Sequence, residues 1–135
     1  MKVKYLVITE IILLIVLLLF CYQFFIKQDT RLQYKIVDVS RGSLNPDSGG
    51  TYTLNKKDKT ITITNNASCG GARLNIINLK KTLQTTSIET KVSYPDTCPF
   101  LEENIYTTIK IKDMNQNIKA YSINNGKKYY YEEIQ

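Results

Sequence analysis

Three cysteines, twelve carboxylates and no histidine limit the chemistry open to this 135-residue chain. Cys69 and Cys98 lie 29 positions apart, each in a turn-like setting: Ser68-Cys69-Gly70-Gly71 and Asp96-Thr97-Cys98-Pro99. A metal site would need further ligands at close spacing, and the chain has neither a histidine nor a C-x-x-C. A catalytic thiol would need an activating base, usually histidine. The even pair therefore reads as a structural disulfide, which implies an oxidising compartment. In the chain-entropy picture a bridge of this span contributes about 3–4 kcal/mol. A domain this small needs such a staple.

The missing histidine also excludes Ser-His-Asp and Cys-His catalysis and every His-ligated metal. Glu102-Glu103 and Glu132-Glu133 are adjacent acid pairs. On a strand, neighbours point to opposite faces, so neither pair converges on a substrate. No S-x-x-K, Walker or dinucleotide motif occurs, and Gly70-Gly71 is too short to cradle a phosphate. The expectation is a non-enzymatic chain with no cofactor. Recognition chemistry remains. Tyr121, Tyr129 and Tyr131 form a candidate binding surface, with Tyr130 on the opposite face from its two neighbours. The alternative for these tyrosines is ordinary filling of core and surface. The net charge is +6, and 15 basic against 11 acidic residues from Gln28 onward leave +4. Lys56, Lys57 and Lys59 cluster, as do Lys127 and Lys128. They read first as solvated hairpin tips and edges. Attraction to anionic lipid, cell-wall polymer or nucleic acid is the other reading. A nucleic-acid partner is not expected.

These residues must be held by strands. From Leu32 onward the hydrophobic pattern has period two. It runs through Leu32–Val39, Thr51–Leu54, Lys59–Thr64, Arg73–Leu79, Ile88–Tyr94, Ile105–Lys112 and Ile118–Ile123, with a last strand over Lys128–Ile134. About eight short strands separated by turn signals predict an all-β domain, a small antiparallel sandwich or barrel. Asn55-Lys56-Lys57-Asp58 and Asn124-Asn125-Gly126 are hairpin turns, the second carrying the strong Asn-Gly signal. Asp113–Asn117 joins the strands between them, and Arg41–Gly50 is the longest polar connection.

Upstream, Tyr5–Ile26 is a 22-residue run in which sixteen residues are Leu, Ile, Val or Phe. About 20 such residues cross a bilayer. Between Ile11 and Lys27 there is no Ala, Gly or Ser, which argues against signal cleavage. Phe20 before Cys21 departs from the small residue that precedes a lipidated cysteine. Retention as a transmembrane helix is the expectation. Glu10 sits only about 7 Å in from Tyr5 at 1.5 Å per residue, near the interface. Tyr5, Tyr22, Phe24 and Phe25 suit the two interfaces, and Lys27 can extend to the headgroups. Flanking charge is nearly balanced, and the cysteine argument favours a cytoplasmic N-terminus. The expected organisation is a cytoplasmic tip and anchor over 1–27, a linker over 28–31 and an extracytoplasmic β domain over 32–135. The expected location is the cell membrane, single-pass. The expected partners are membrane lipid, through residues 5–26, and another envelope protein or cell-surface component.

Two stretches resemble known families. The run Leu6-Val7-Ile8-Thr9-Glu10-Ile11-Ile12-Leu13-Leu14 resembles the start of type IV pilins and pseudopilins. That resemblance implies a chain maturing at Leu6, with Glu10 pairing to a neighbouring subunit's N-terminus. Tyr5 stands where that family carries glycine. The stretch Cys69-Gly70-Gly71-Ala72-Arg73-Leu74-Asn75-Ile76, with Pro95–Phe100 and the strand Ile105–Ile111, is similar to the β domain of PrcB-like protease-complex proteins. It implies an extracytoplasmic accessory or inhibitor-like domain without catalytic residues.

Overall fold

A computed structural model describes residues 2–26, 30–115 and 117–135. The first element, α1 (Lys2–Ile26), is a 25-residue helix rich in Leu and Ile and free of Gly and Pro. Its candidate span, Val3–Gln23, has a mean hydropathy of 2.6, and none of it is buried against the rest of the chain. A helix this apolar and this uncovered does not serve as a protein core; its length matches a hydrocarbon crossing. The hydroxyl of Thr9 donates to the Tyr5 and Leu6 carbonyls, each at 2.8 Å, and so is satisfied inside the helix.

Among the described residues ten strands follow: β1 (Thr30–Arg31), β2 (Tyr34–Ser43), β3 (Thr51–Asn55), β4 (Thr60–Cys69), β5 (Arg73–Lys81), β6 (Thr86–Ser93), β7 (Phe100–Ile111), β8 (Ile118–Asn124), β9 (Lys127–Tyr130) and β10 (Glu132–Glu133). They form two five-stranded sheets, ordered β1-β5-β6-β8-β9 and β10-β3-β4-β7-β2. Each has its own edges, so the chain forms a two-sheet sandwich. The first seven expected strands correspond to β2 through β8, but the eighth, Lys128–Ile134, is two strands, β9 and β10, because the chain turns inward at Tyr131 and changes sheet. β1 pairs Thr30–Arg31 with Lys80–Lys81, so the first strand begins two residues before the expected domain boundary at Leu32.

One expectation needs correction. The domain is not antiparallel throughout, because β6 runs parallel to β8 and β10 parallel to β3. The cause lies in the connections. After β6 the chain crosses to the other sheet as β7, then returns to pair with β6 as β8. The β7–β8 connection therefore joins different sheets instead of closing a hairpin. Period-two patterning cannot reveal this, since it marks which face is buried and not which sheet a strand joins.

The core draws on both sheets. Ile61 and Ile63 of β4 and Ile109 and Ile111 of β7 meet Leu74, Leu79, Ile88, Ile118 and Ala120 of the other sheet. All four of those Ile side chains are fully buried, each contributing about 1.5–3 kcal/mol relative to exposure. The tight turns follow their sequence signals. The Asn55 side chain accepts from the amides of Lys57 and Asp58 and closes the β3–β4 turn. Asn125 and Gly126 adopt φ of 49° and 77°, the left-handed pair that a two-residue hairpin requires.

Candidate functional site

At one end of the sandwich, β4 passes to β5 through Gly70-Gly71, and the chain passes from β6 to β7 through residues 94–99. Both connections change sheet, and Cys69 and Cys98 form a disulfide between them, with Cα atoms 5.3 Å apart. Gly70 N–H donates to the Pro99 carbonyl at 2.9 Å beside the bridge. Gly71 is required by its backbone: its φ is +92°, and an added Cβ would press on Pro95 at 3.3 Å. Cys69 is buried among Ala67, Ala72 and Ile105, while Cys98 is exposed. Arg41 fastens the same end. Its guanidinium donates to the buried carboxylate of Glu103 and to the Ala72 carbonyl, linking β2 and β7 to the start of β5. Arg41 and Glu103 lie 62 residues apart, and no local pattern signals such a pair.

The tyrosines divide. Tyr121 and Tyr130 are register partners on the outer face of their sheet, ring centroids 5.7 Å apart and tilted by 56°. The Lys128 ammonium lies 4.9 Å from the Tyr121 ring centroid, within the range of a cation–π contact. Tyr129 pairs with Ser122 and points to the other face, exposed. Tyr131 turns inward and packs against the core, its hydroxyl 2.8 Å from that of Thr90. The structure thus brings Tyr121 together with Tyr130 and Lys128, and not with Tyr129 or Tyr131. A signal for this was available. A two-residue Asn-Gly loop pairs Asn124 with Lys127, and counting back three pairs, one residue at a time on each strand, gives Tyr121 opposite Tyr130.

A cleft of about 300 Å³ opens near the disulfide end, lined by Asn65, Lys91, Val92, Tyr94, Ser122 and Tyr131 among others. Asn65 is 6% exposed, and its Nδ2 has no acceptor among the described residues. Among the described residues the acids do not gather into a site. Glu103 is held by Arg41, while Glu102 is exposed, and Glu133 pairs in register with Tyr52. Among the described residues no group of three or more His, Cys, Asp or Glu could hold a metal. Burial, with the Glu133 carboxylate adding to it, pushes the Tyr52 phenol above its ordinary value of 10.0. That phenol donates to the Ile118 carbonyl at 3.2 Å. Of the anchor residues, Tyr5, Glu10 and Tyr22 are exposed along α1. Lys27 lies outside the described residues, as do the side chains of Phe24 and Phe25.

Compared with protein families, curated proteins and solved structures, the chain matches none.

Proposed function

We propose that the chain is a single-pass membrane protein whose β domain works outside the cytoplasm as a non-enzymatic binding module. The observation that carries this reading is an apolar helix with none of its span buried, joined to a small sandwich stapled by Cys69–Cys98. Such a helix needs lipid around it, and such a bridge persists in an oxidising compartment. The half-buried Tyr121 and exposed Tyr130, with Lys128, are the contact surface of the module. Aromatic rings beside a cation offer flat apolar area and polar tips, the composition that binding interfaces favour. The partner is an envelope protein or a cell-surface component.

Photocrosslinking tests this reading. A photoreactive phenylalanine replacing Tyr130 forms an adduct with an envelope component in intact cells, and the same residue replacing Lys56 does not. Adducts absent at both sites, or identical at both, contradict it.

One observation favours a second reading. Glu10 makes no hydrogen bond or ion pair among the described residues, and an acid in a membrane helix calls for a partner. In a pilin-like assembly subunit that partner is the N-terminus of a neighbouring copy. Intact mass of the purified protein decides this: a chain beginning at Leu6 supports the assembly subunit, and a chain retaining residues 1–5 excludes it.

A further inference from the structure

The end of the β10-β3-β4-β7-β2 sheet opposite the disulfide carries an unbalanced positive charge. The register of β2 and β7 sets Lys35 directly across from Lys110, on the outer face that both share with Thr60. Lys112 follows two residues on, its amide donating to the Gln33 carbonyl at 3.4 Å. Lys35, Lys110 and Lys112 line one groove of about 310 Å³ with Gln33 and Tyr34, and no acid lines it. Among the described residues none of the three ammonium groups is paired with a carboxylate. The β3–β4 turn lies at the same end, since the Ile111 amide donates to the Lys59 carbonyl at 3.2 Å.

Like charges directly opposite on paired strands repel and destabilise a sheet. Lysine on an edge strand commonly discourages unwanted pairing, which would account for Lys35 on β2. It does not account for Lys110, because β7 is an interior strand flanked by β4 and β2. An anion seated between the lysines would relieve the repulsion.

Chain connectivity says which anion. β2 is entered from the anchor, and Lys35 is nine residues beyond Ile26. Nine residues span at most about 30 Å when fully extended, and the pairing of Thr30–Arg31 with β5 shortens that reach. The groove is therefore at the end of the sheet that the chain reaches first from the bilayer. We infer that Lys35, Lys110 and Lys112 form a headgroup site that binds the phosphate of an anionic phospholipid in the bilayer holding α1. The groove docks the near end of the domain on the lipid surface and leaves the disulfide end and its cleft directed away from it.

This inference rests on the reading of α1 as a membrane anchor, and the test separates the two. The full-length chain is reconstituted into nanodiscs of phosphatidylcholine alone or of phosphatidylcholine with phosphatidylglycerol. Failure to enter either disc contradicts the anchor itself. In loaded discs, lysines are acylated with a water-soluble reagent and read by peptide mass spectrometry. Lys35, Lys110 and Lys112 react at least about threefold more slowly in the phosphatidylglycerol discs, a scale set by the attraction of single basic residues to an anionic surface. Lys91 and Lys128, at the far end of the other sheet, do not change, and high salt abolishes the difference. In Lys110→Gln, an exposed substitution that leaves the core intact, Lys35 loses its protection. Equal rates in both discs overturn the inference. So does equal protection by inorganic phosphate added to phosphatidylcholine discs, which would mark a site for free anions instead of headgroups.

Discussion

Arg41 and Tyr52 show how single side chains hold the two sheets in place. Glu103 is 8% exposed and Arg41 is its ion-pair partner, so removing Arg41 strands a buried carboxylate. Breaking a fully buried pair costs about 3–5 kcal/mol. Arg41 is about one-third exposed, which lowers the expectation for Arg41→Ala to about 2 kcal/mol. Urea denaturation measures it, and adding Glu103→Gln should recover part of the loss. Tyr52 makes stability depend on alkaline pH. Its folded value is raised, so the unfolded chain releases the phenolic proton first, near pH 10.0. Its contribution is fully present below that pH and is lost as pH rises through the higher folded value. Tyr52→Phe should flatten the alkaline limb of the stability curve, at a loss of about 1 kcal/mol near neutrality from the missing bond to Ile118. An unchanged alkaline limb would contradict the assignment. Neither residue was legible beforehand, since both act across the inter-sheet space and contact order is invisible to local pattern.

Among the elements, hairpins were the most readable. The Asn55–Asp58 and Asn125-Gly126 turns lie where their residues indicate, because Asn and Gly accept the backbone angles that tight turns demand. An added Cβ at Gly126 would meet nothing within 4 Å, while its φ is +77°. Gly126→Ala should therefore cost about 1 kcal/mol from backbone strain alone. The β8–β9 register should loosen with it, weakening the Tyr121–Tyr130 contact. Thermal melts and the Tyr130 crosslink report the two effects, and a neutral Gly126→Ala would contradict the turn geometry. Strand ends were less readable. β4 extends to Cys69, past the alternating run Lys59–Thr64, because Asn65 is buried on the core face where a polar residue breaks the pattern. β7 starts at Phe100, five residues before its first buried Ile, with Phe100 and Leu101 exposed. Sheet membership was unreadable, since the parallel pairing of β6 and β8 depends on where β7 goes.

At the scale of the molecule, the helix leads into the basic end of the β domain, and the staple closes the opposite end. The staple joins two of the crossovers that carry the chain between sheets, β4–β5 and β6–β7, so its loss should free both. Replacing Cys69 and Cys98 together by Ser should lower stability by about 3–4 kcal/mol by the loop-entropy estimate. The central claim is that α1 stays in the membrane and holds the stapled domain outside the cytoplasm. Alkaline washing of the envelopes, together with gel shift by a polymer-linked maleimide in denaturant on acid-quenched cells, tests it most directly. The account predicts a protein retained in the washed membranes that takes one polymer, on Cys21, before reduction and three after it. A protein released by the wash, or one that takes three polymers without reduction, would contradict it.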